Sequence, residues 1–185
     1  LPFSPLTDTE LPEADGLLLG GGFPETHASE LAQNYPMIEQ IGRFIEQGGP
    51  AYAECGGLMY LCRSLTWDAK QVKMVGVLPA DVVMHQRPQG RGYVRLRETA
   101  EHPWPGNGEI AAHEFHYSGL ENLGEGIRFA YQVERGHGID GLHDGIRYRN
   151  LLASYAHMRD TRSNHWARRF VDFIRQCKSA SGAHC

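Results

Sequence analysis

Tyr52-Ala53-Glu54-Cys55-Gly56-Gly57-Leu58-Met59-Tyr60-Leu61 is the stretch on which the reading of this chain turns. Ala51-Tyr52-Ala53 reads as a short strand and Leu58, Met59 and Leu61 as the start of a helix, which leaves Cys55 at the junction. A thiol between strand and helix, flanked by small residues, matches the sharp turn that exposes a nucleophile above a sheet. Gly56 and Gly57 leave room for such a turn, and the N-terminus of the following helix sets partial positive charge beside the sulfur. A single cysteine is more often a small buried hydrophobe; the glycine context argues against that role here.

Upstream, Leu17-Leu18-Leu19 is an apolar run that stops at Gly20-Gly21-Gly22-Phe23-Pro24, as a buried strand ending in a glycine loop would. Met37, Ile38, Ile41, Phe44 and Ile45 recur at helical spacing after Pro36, and Gly48-Gly49 closes the pattern. Downstream, Val75–Leu78, Tyr93–Leu96, Ile110–Tyr117 and Phe129–Val133 are short β-branched and aromatic segments divided by Gly and Pro, the pattern of antiparallel hairpins. Leu151–Tyr155 reads as another buried strand. Ser163 is placed to cap a last helix with Trp166, Phe170, Phe173 and Ile174 on one face. Strands alternating with helices at both ends predict an α/β fold: a mainly parallel sheet, helices on both faces and a β-rich middle segment. Ligand sites in such sheets lie beyond the carboxyl ends of the strands, where the Gly20 loop, Cys55 and His157 all fall.

The 185 residues, 41% of them hydrophobic, suffice for one core, read here as a domain over residues 1–178 with a disordered tail at 179–185. A net charge of −4 and a pI near 6.2 do not favour nucleic-acid or acidic-membrane partners. Cys55, Cys62, Cys177 and Cys185 lack the spacing of a zinc site or a disulfide framework. With no apolar run of about 18 residues and no signal-peptide pattern, the expectation is a cytoplasmic protein with no membrane partner.

Attack of a thiolate on an amide carbonyl creates an oxyanion best met by preorganised backbone N–H groups. Gly56, after the nucleophile, and the Gly21-Gly22 loop are the candidate donors and glutamine-binding residues. A glycine run alone is a weak signal, equally suited to turning the chain or cradling phosphate. The leaving group needs a proton and the attacking water must lose one, so a group titrating near neutrality belongs beside the thiol. Among ten histidines, His157 follows the late strand and is chosen. His113 and His116 could suggest a metal pair, but that spacing in a strand sends the rings to opposite faces. They are read as structural or substrate-facing, and no metal site is expected.

In order, Gly20-Gly21-Gly22-Phe23-Pro24-Glu25, the Cys55 motif, His113-Glu114-Phe115-His116-Tyr117-Ser118 and Ala153-Ser154-Tyr155-Ala156-His157 resemble the motifs of the cobyrinic acid a,c-diamide synthase family. The resemblance runs from about Leu11 to Phe173 and is most specific around Cys55. It implies a flavodoxin-like class I glutamine amidotransferase domain of the cobalamin-synthesis type. Cys55 would be its nucleophile and His157 its base, and ammonia from glutamine would serve an ATP-dependent synthetase domain that amidates a corrinoid or other tetrapyrrole carboxylate. It also implies that the chain begins after that synthetase domain and after the first strand and helix of the amidotransferase domain. No G-x-x-x-x-G-K-[ST] is present, so no cofactor is assigned to these residues, and ATP and Mg are expected to belong to the synthetase domain.

Many class I amidotransferases place a glutamate two residues after the histidine, whereas this chain has Arg159. A guanidinium cannot accept the imidazole N–H bond, which leaves either a Cys–His dyad or a carboxylate from elsewhere. Sirohydrochlorin or sirohaem as acceptor, a non-catalytic domain of the same fold and a plain cysteine hydrolase are the competing readings.

Overall fold

The computed structural model describes residues 1–106 and 108–182. Two sheets carry the chain. In order along it come β1 (Leu17–Leu19), a 3-10 turn (Pro24–His27), α1 (Ala28–Gln33), α2 (Tyr35–Glu46), β2 (Ala51–Glu54), α3 (Gly56–Leu61), β3 (Cys62–Trp67), β4 (Lys70–Lys73) and β5 (Leu78–Met84). Then follow β6 (Gly90–Glu98), β7 (Glu109–His116), β8 (Ser118–Glu121), β9 (Arg128–Arg135), β10 (His143–Tyr148), β11 (Leu151–Ser154) and α4 (Trp166–Gly182).

The larger sheet has the order β1-β2-β11-β10-β9-β6-β7, and the smaller β4-β3-β5-β8. In the larger, β1, β2 and β11 are parallel, with Leu18 opposite Tyr52 and Ser154 opposite Glu54. The remaining pairs are antiparallel. The α/β architecture with helices on both faces therefore holds, but the expected mainly parallel sheet shrinks to a three-stranded parallel core. The β-rich middle segment pairs directly onto that core and extends the same sheet. Alternation along β2 and β11 separates the two faces. Ala51, Ala53, Leu151 and Ala153 pack with Ile41 and Ile45 of α2. Tyr52 and Leu152 point to the other side, toward Phe170 of α4, Trp104 and Tyr131. α2 has the predicted amphipathic stripe, with Met37, Ile41 and Ile45 buried and the Asn34 side chain accepting the Met37 N–H at its start.

The helix after Cys55 forms where expected and lasts six residues before Cys62 enters β3. In β3, Arg63 is exposed between buried Cys62 and Ser64, and Asp68 and Ala69, both at positive φ, turn the strand into β4. Three other local expectations need correction. Residues 75–77 are not strand; Leu78 opens β5. Ser163 does not cap α4, which begins at Trp166; Asp160 Oδ2 accepts the Ala167 N–H at 3.2 Å instead. Finally, α4 continues through residues 179–182, where a disordered tail was expected, and 183–185 lie outside the described residues.

Candidate active site

β2 delivers Cys55 to the carboxyl edge of the sheet. Its N–H donates to Ser154 O of β11 at 2.7 Å, and the next residues wind into α3. The change of direction is concentrated in Cys55 itself, at φ 44° and ψ −98°, a conformation that disfavours a side chain and that surrounding structure must hold in place. The neighbouring glycines permit the packing that holds it. A Cβ on Gly57 would lie 2.4 Å from Leu19 O, and one on Gly56 2.7 Å from Gly22 O. The backbone of the Gly20–Gly22 loop thus lies directly against the elbow, and Gly21 lies against the His157 ring, whose Cε1 would be 2.6 Å from a Cβ there. Gly21, Gly22, Gly56, Cys55 and His157, chosen from the sequence, meet in one place.

His157 follows β11 as Cys55 follows β2. The turn between β11 and His157 is tied to buried Asp144, which accepts N–H bonds from Gly145 at 2.8 Å and from Tyr155 and Ala156 at 3.0 Å. The Cys55 side chain lies close enough to the imidazole to be the first influence on its protonation. Its Nδ1 stands 3.4 Å from Glu54 Oε2. Glu54 is itself fixed, accepting the Tyr52 hydroxyl and the Met158 N–H, each at 2.8 Å. Hydrogen bonds to Cys55 and then to Glu54 favour the imidazolium and outweigh burial, pushing the His157 pKa up to about 10. Burial alone would raise the Glu54 pKa, but the bonds from His157, Met158 and Tyr52 hold it below the ordinary carboxylate value. The carboxylate sought for the position after His157 therefore lies one residue before Cys55. Only the strand order reveals it: in the parallel register that sets Ser154 beside Glu54, a residue just beyond Ser154 emerges next to Glu54.

The motif His113–Ser118 splits between two layers. Phe115 O lies 3.9 Å from Cys55 Sγ. His116 is buried, stacked on Tyr155 at 3.7 Å with Nδ1 on Ser118 O, and the Ser118 hydroxyl meets the Tyr155 hydroxyl at 2.9 Å. Exposed His113 lies on the opposite face of β7 and touches His157. Among the described residues, no group of three or more His, Cys, Asp or Glu is arranged to hold a metal ion. Arg159 lines an outer cavity of about 630 Å³ with Arg91, Tyr93, His113 and Phe115. A narrower cleft reaches Cys55 between Gly22, Phe23, Glu25, Met84, Tyr117 and Ser118.

A thiol on a strained elbow, an imidazole anchored by a carboxylate and glycine backbone packed against both form a constellation suited to acyl transfer from an amide. The family profile that matches residues 1–164 is that of the CobB/CobQ-like glutamine amidotransferase domain. The chain belongs to this family. This amidotransferase domain is 50% identical over 182 residues to a cobyrinate a,c-diamide synthase of Magnetococcus marinus, covering 98% of the chain and 39% of that protein. It is 44% identical over 171 residues to the synthase of the same name from Archaeoglobus fulgidus, covering 90% of the chain and 36% of the relative. The domain therefore spans well under half the length of these relatives. Among solved structures, PurLQS of Thermotoga maritima superposes with a TM-score of 0.67 at 14% identity, over 92% of this chain and 82% of that one. A second structure, titled as a glutamine amidotransferase, does so with a TM-score of 0.63 at 21% identity, over 86% and 79%. At those identities the likeness is one of fold. No described helix of the domain is long and apolar enough to cross a membrane.

Proposed function

We propose that this chain is the glutaminase half of an ATP-dependent amidotransferase that converts the a and c side-chain carboxylates of cobyrinic or hydrogenobyrinic acid to amides. With His157 already holding the proton of the Cys55 thiol, as its raised pKa implies at neutral pH, Cys55 Sγ attacks the side-chain carboxamide carbon of glutamine as a thiolate. The oxyanion that forms is met by the N–H of Gly56 and by an N–H of the Gly21-Gly22 loop. Collapse expels ammonia, protonated by His157, and leaves a glutamyl thioester on Cys55. His157 then draws a proton from water, the hydroxide adds to the thioester, and loss of the Cys55 sulfur releases glutamate. Glu54 orients the imidazole and balances its positive charge. The length of the cobyrinate synthase relatives supports a synthetase domain as the partner that supplies ATP and Mg²⁺ and receives the ammonia.

The observation that carries this reading is the strained Cys55 elbow beside a His157 whose other nitrogen faces Glu54. Its test is glutamate release from glutamine by Cys55→Ala. The covalent route has no nucleophile in that variant, so a loss on the order of a thousandfold or more is expected. Turnover that survives the substitution overturns the mechanism. An acceptor panel of cobyrinate, hydrogenobyrinate and sirohaem, offered to the protein carrying both domains, tests the acceptor assignment separately.

A further inference from the structure

His157 is restrained by more than Glu54. β7 is the last strand of the larger sheet, four positions away from β11 in the strand order. Curling of that sheet nevertheless brings the two into contact beyond the end of β11. His157 N–H donates to His113 O at 2.7 Å, and His113 N–H to His157 O at 3.3 Å, as an isolated antiparallel bridge. Above that bridge the two imidazoles stack, with centroids 4.8 Å apart and planes 20° from parallel. The backbone bridge fixes where His157 sits, but it does not fix rotation of the ring about its side-chain bonds, which are broad wells for an imidazole. Glu54 constrains one ring nitrogen. The remaining freedom is rocking about that contact, and a flat ring against the imidazole face opposes it.

We propose that His113 is a positioning residue for the Cys55–His157 pair, its ring fixing the plane of the His157 imidazole so that both nitrogens stay aimed at Glu54 and Cys55. Its contribution is a face to stack on. The charged and titratable neighbours of the stack are Glu54 and Cys55 on the His157 side and Arg91, Tyr93, Glu114 and Arg159 around the cavity that His113 borders. An apolar aromatic ring at position 113 should therefore serve as well as imidazole, and an aliphatic side chain of similar bulk should not.

The test compares His113→Phe with His113→Leu in the 185-residue chain; both suit a strand position with exposed side chains. Tyr93→Ala, the cross-strand partner of His113, is the control for disturbance of the strand pair. Two readouts are used. One is the NMR titration of the His157 ring together with the rate of Cys55 alkylation by iodoacetamide at pH 7, followed by peptide mass spectrometry. The other is kcat and KM for glutamine. The leucine variant is expected to lower the His157 midpoint, slow alkylation at least fivefold and reduce kcat about tenfold with KM within twofold. The phenylalanine variant should stay within about threefold of wild type, and Tyr93→Ala should match it. Wild-type behaviour of the leucine variant overturns the proposal, as does equal loss in the phenylalanine variant or in Tyr93→Ala. The turnover arm rests on the glutaminase reading, whereas titration and alkylation report on the Cys55–His157 pair alone, so the two can fail separately.

Discussion

Glu54 sits one residue before the nucleophile and reaches the histidine from the side of the neighbouring parallel strand. Glu54→Gln retains the shape and an acceptor for the Tyr52 hydroxyl and Met158 N–H but gives up the charge facing His157. A fall of at least about a hundredfold in kcat for glutamate release is expected, toward the roughly ten-thousandfold lost when the residue orienting the histidine of a serine-protease triad is neutralised. The same pair sets a pH window. The His157 pKa is raised from the ordinary 6.5 to about 10, first by Cys55 and then by Glu54, so its share of stability is full below 6.5 and lost as pH rises through about 10. The Glu54 pKa is lowered from 4.5, so its share is present above 4.5 and lost as pH falls below it. The Tm gap between wild type and Glu54→Gln should be widest from about pH 5 to 9 and close on either side; a gap independent of pH would refute the ion pair. Cys55 and His157 were readable from the sequence because each ends an apolar strand segment. Glu54 was not, because its role depends on which strands are neighbours, and the two residues after His157 were the wrong place to look.

At the level of elements, periodicity served where one face is buried. The stripe of Met37, Ile41 and Ile45 in α2 and the alternation of β7 are the clearest cases. It was ambiguous after Cys55, where Leu58 to Cys62 is apolar throughout and suits a buried helix and a buried strand alike. The six residues of α3 are held by contact with β1, and Gly57 is where the two backbones meet. Gly57→Ala places a methyl group 2.4 Å from Leu19 O, against main chain that cannot swing aside. A loss of about 2 kcal/mol in urea unfolding is expected, with a larger proportional loss of activity because the elbow shifts with α3. Asp144→Ala leaves three buried N–H donors without their acceptor, at a cost of about 3 kcal/mol. A stability equal to wild type in either variant would contradict the packing described.

Across the whole molecule, two apolar clusters lie on opposite faces of the larger sheet, and Tyr52 links one of them to the site. Its ring packs against Trp166, Trp104 and Phe170 while its hydroxyl holds Glu54. Phe170→Ala should cost about 3–5 kcal/mol by equilibrium unfolding, and it should also weaken the hold on Glu54. Wild-type stability would show that α4 is not an integral cover of that face. Strand order was the least legible property. Nothing local in Leu151–Ser154 states that it inserts beside β2, or that β7 will curl back to meet His157. That same curl has a temporal consequence. Phe115, His113 and His157 all follow Cys55 along the chain, so the thiol emerges from the ribosome before the groups that surround it. The site can close around Cys55 only once the strands that carry those groups have been made and folded.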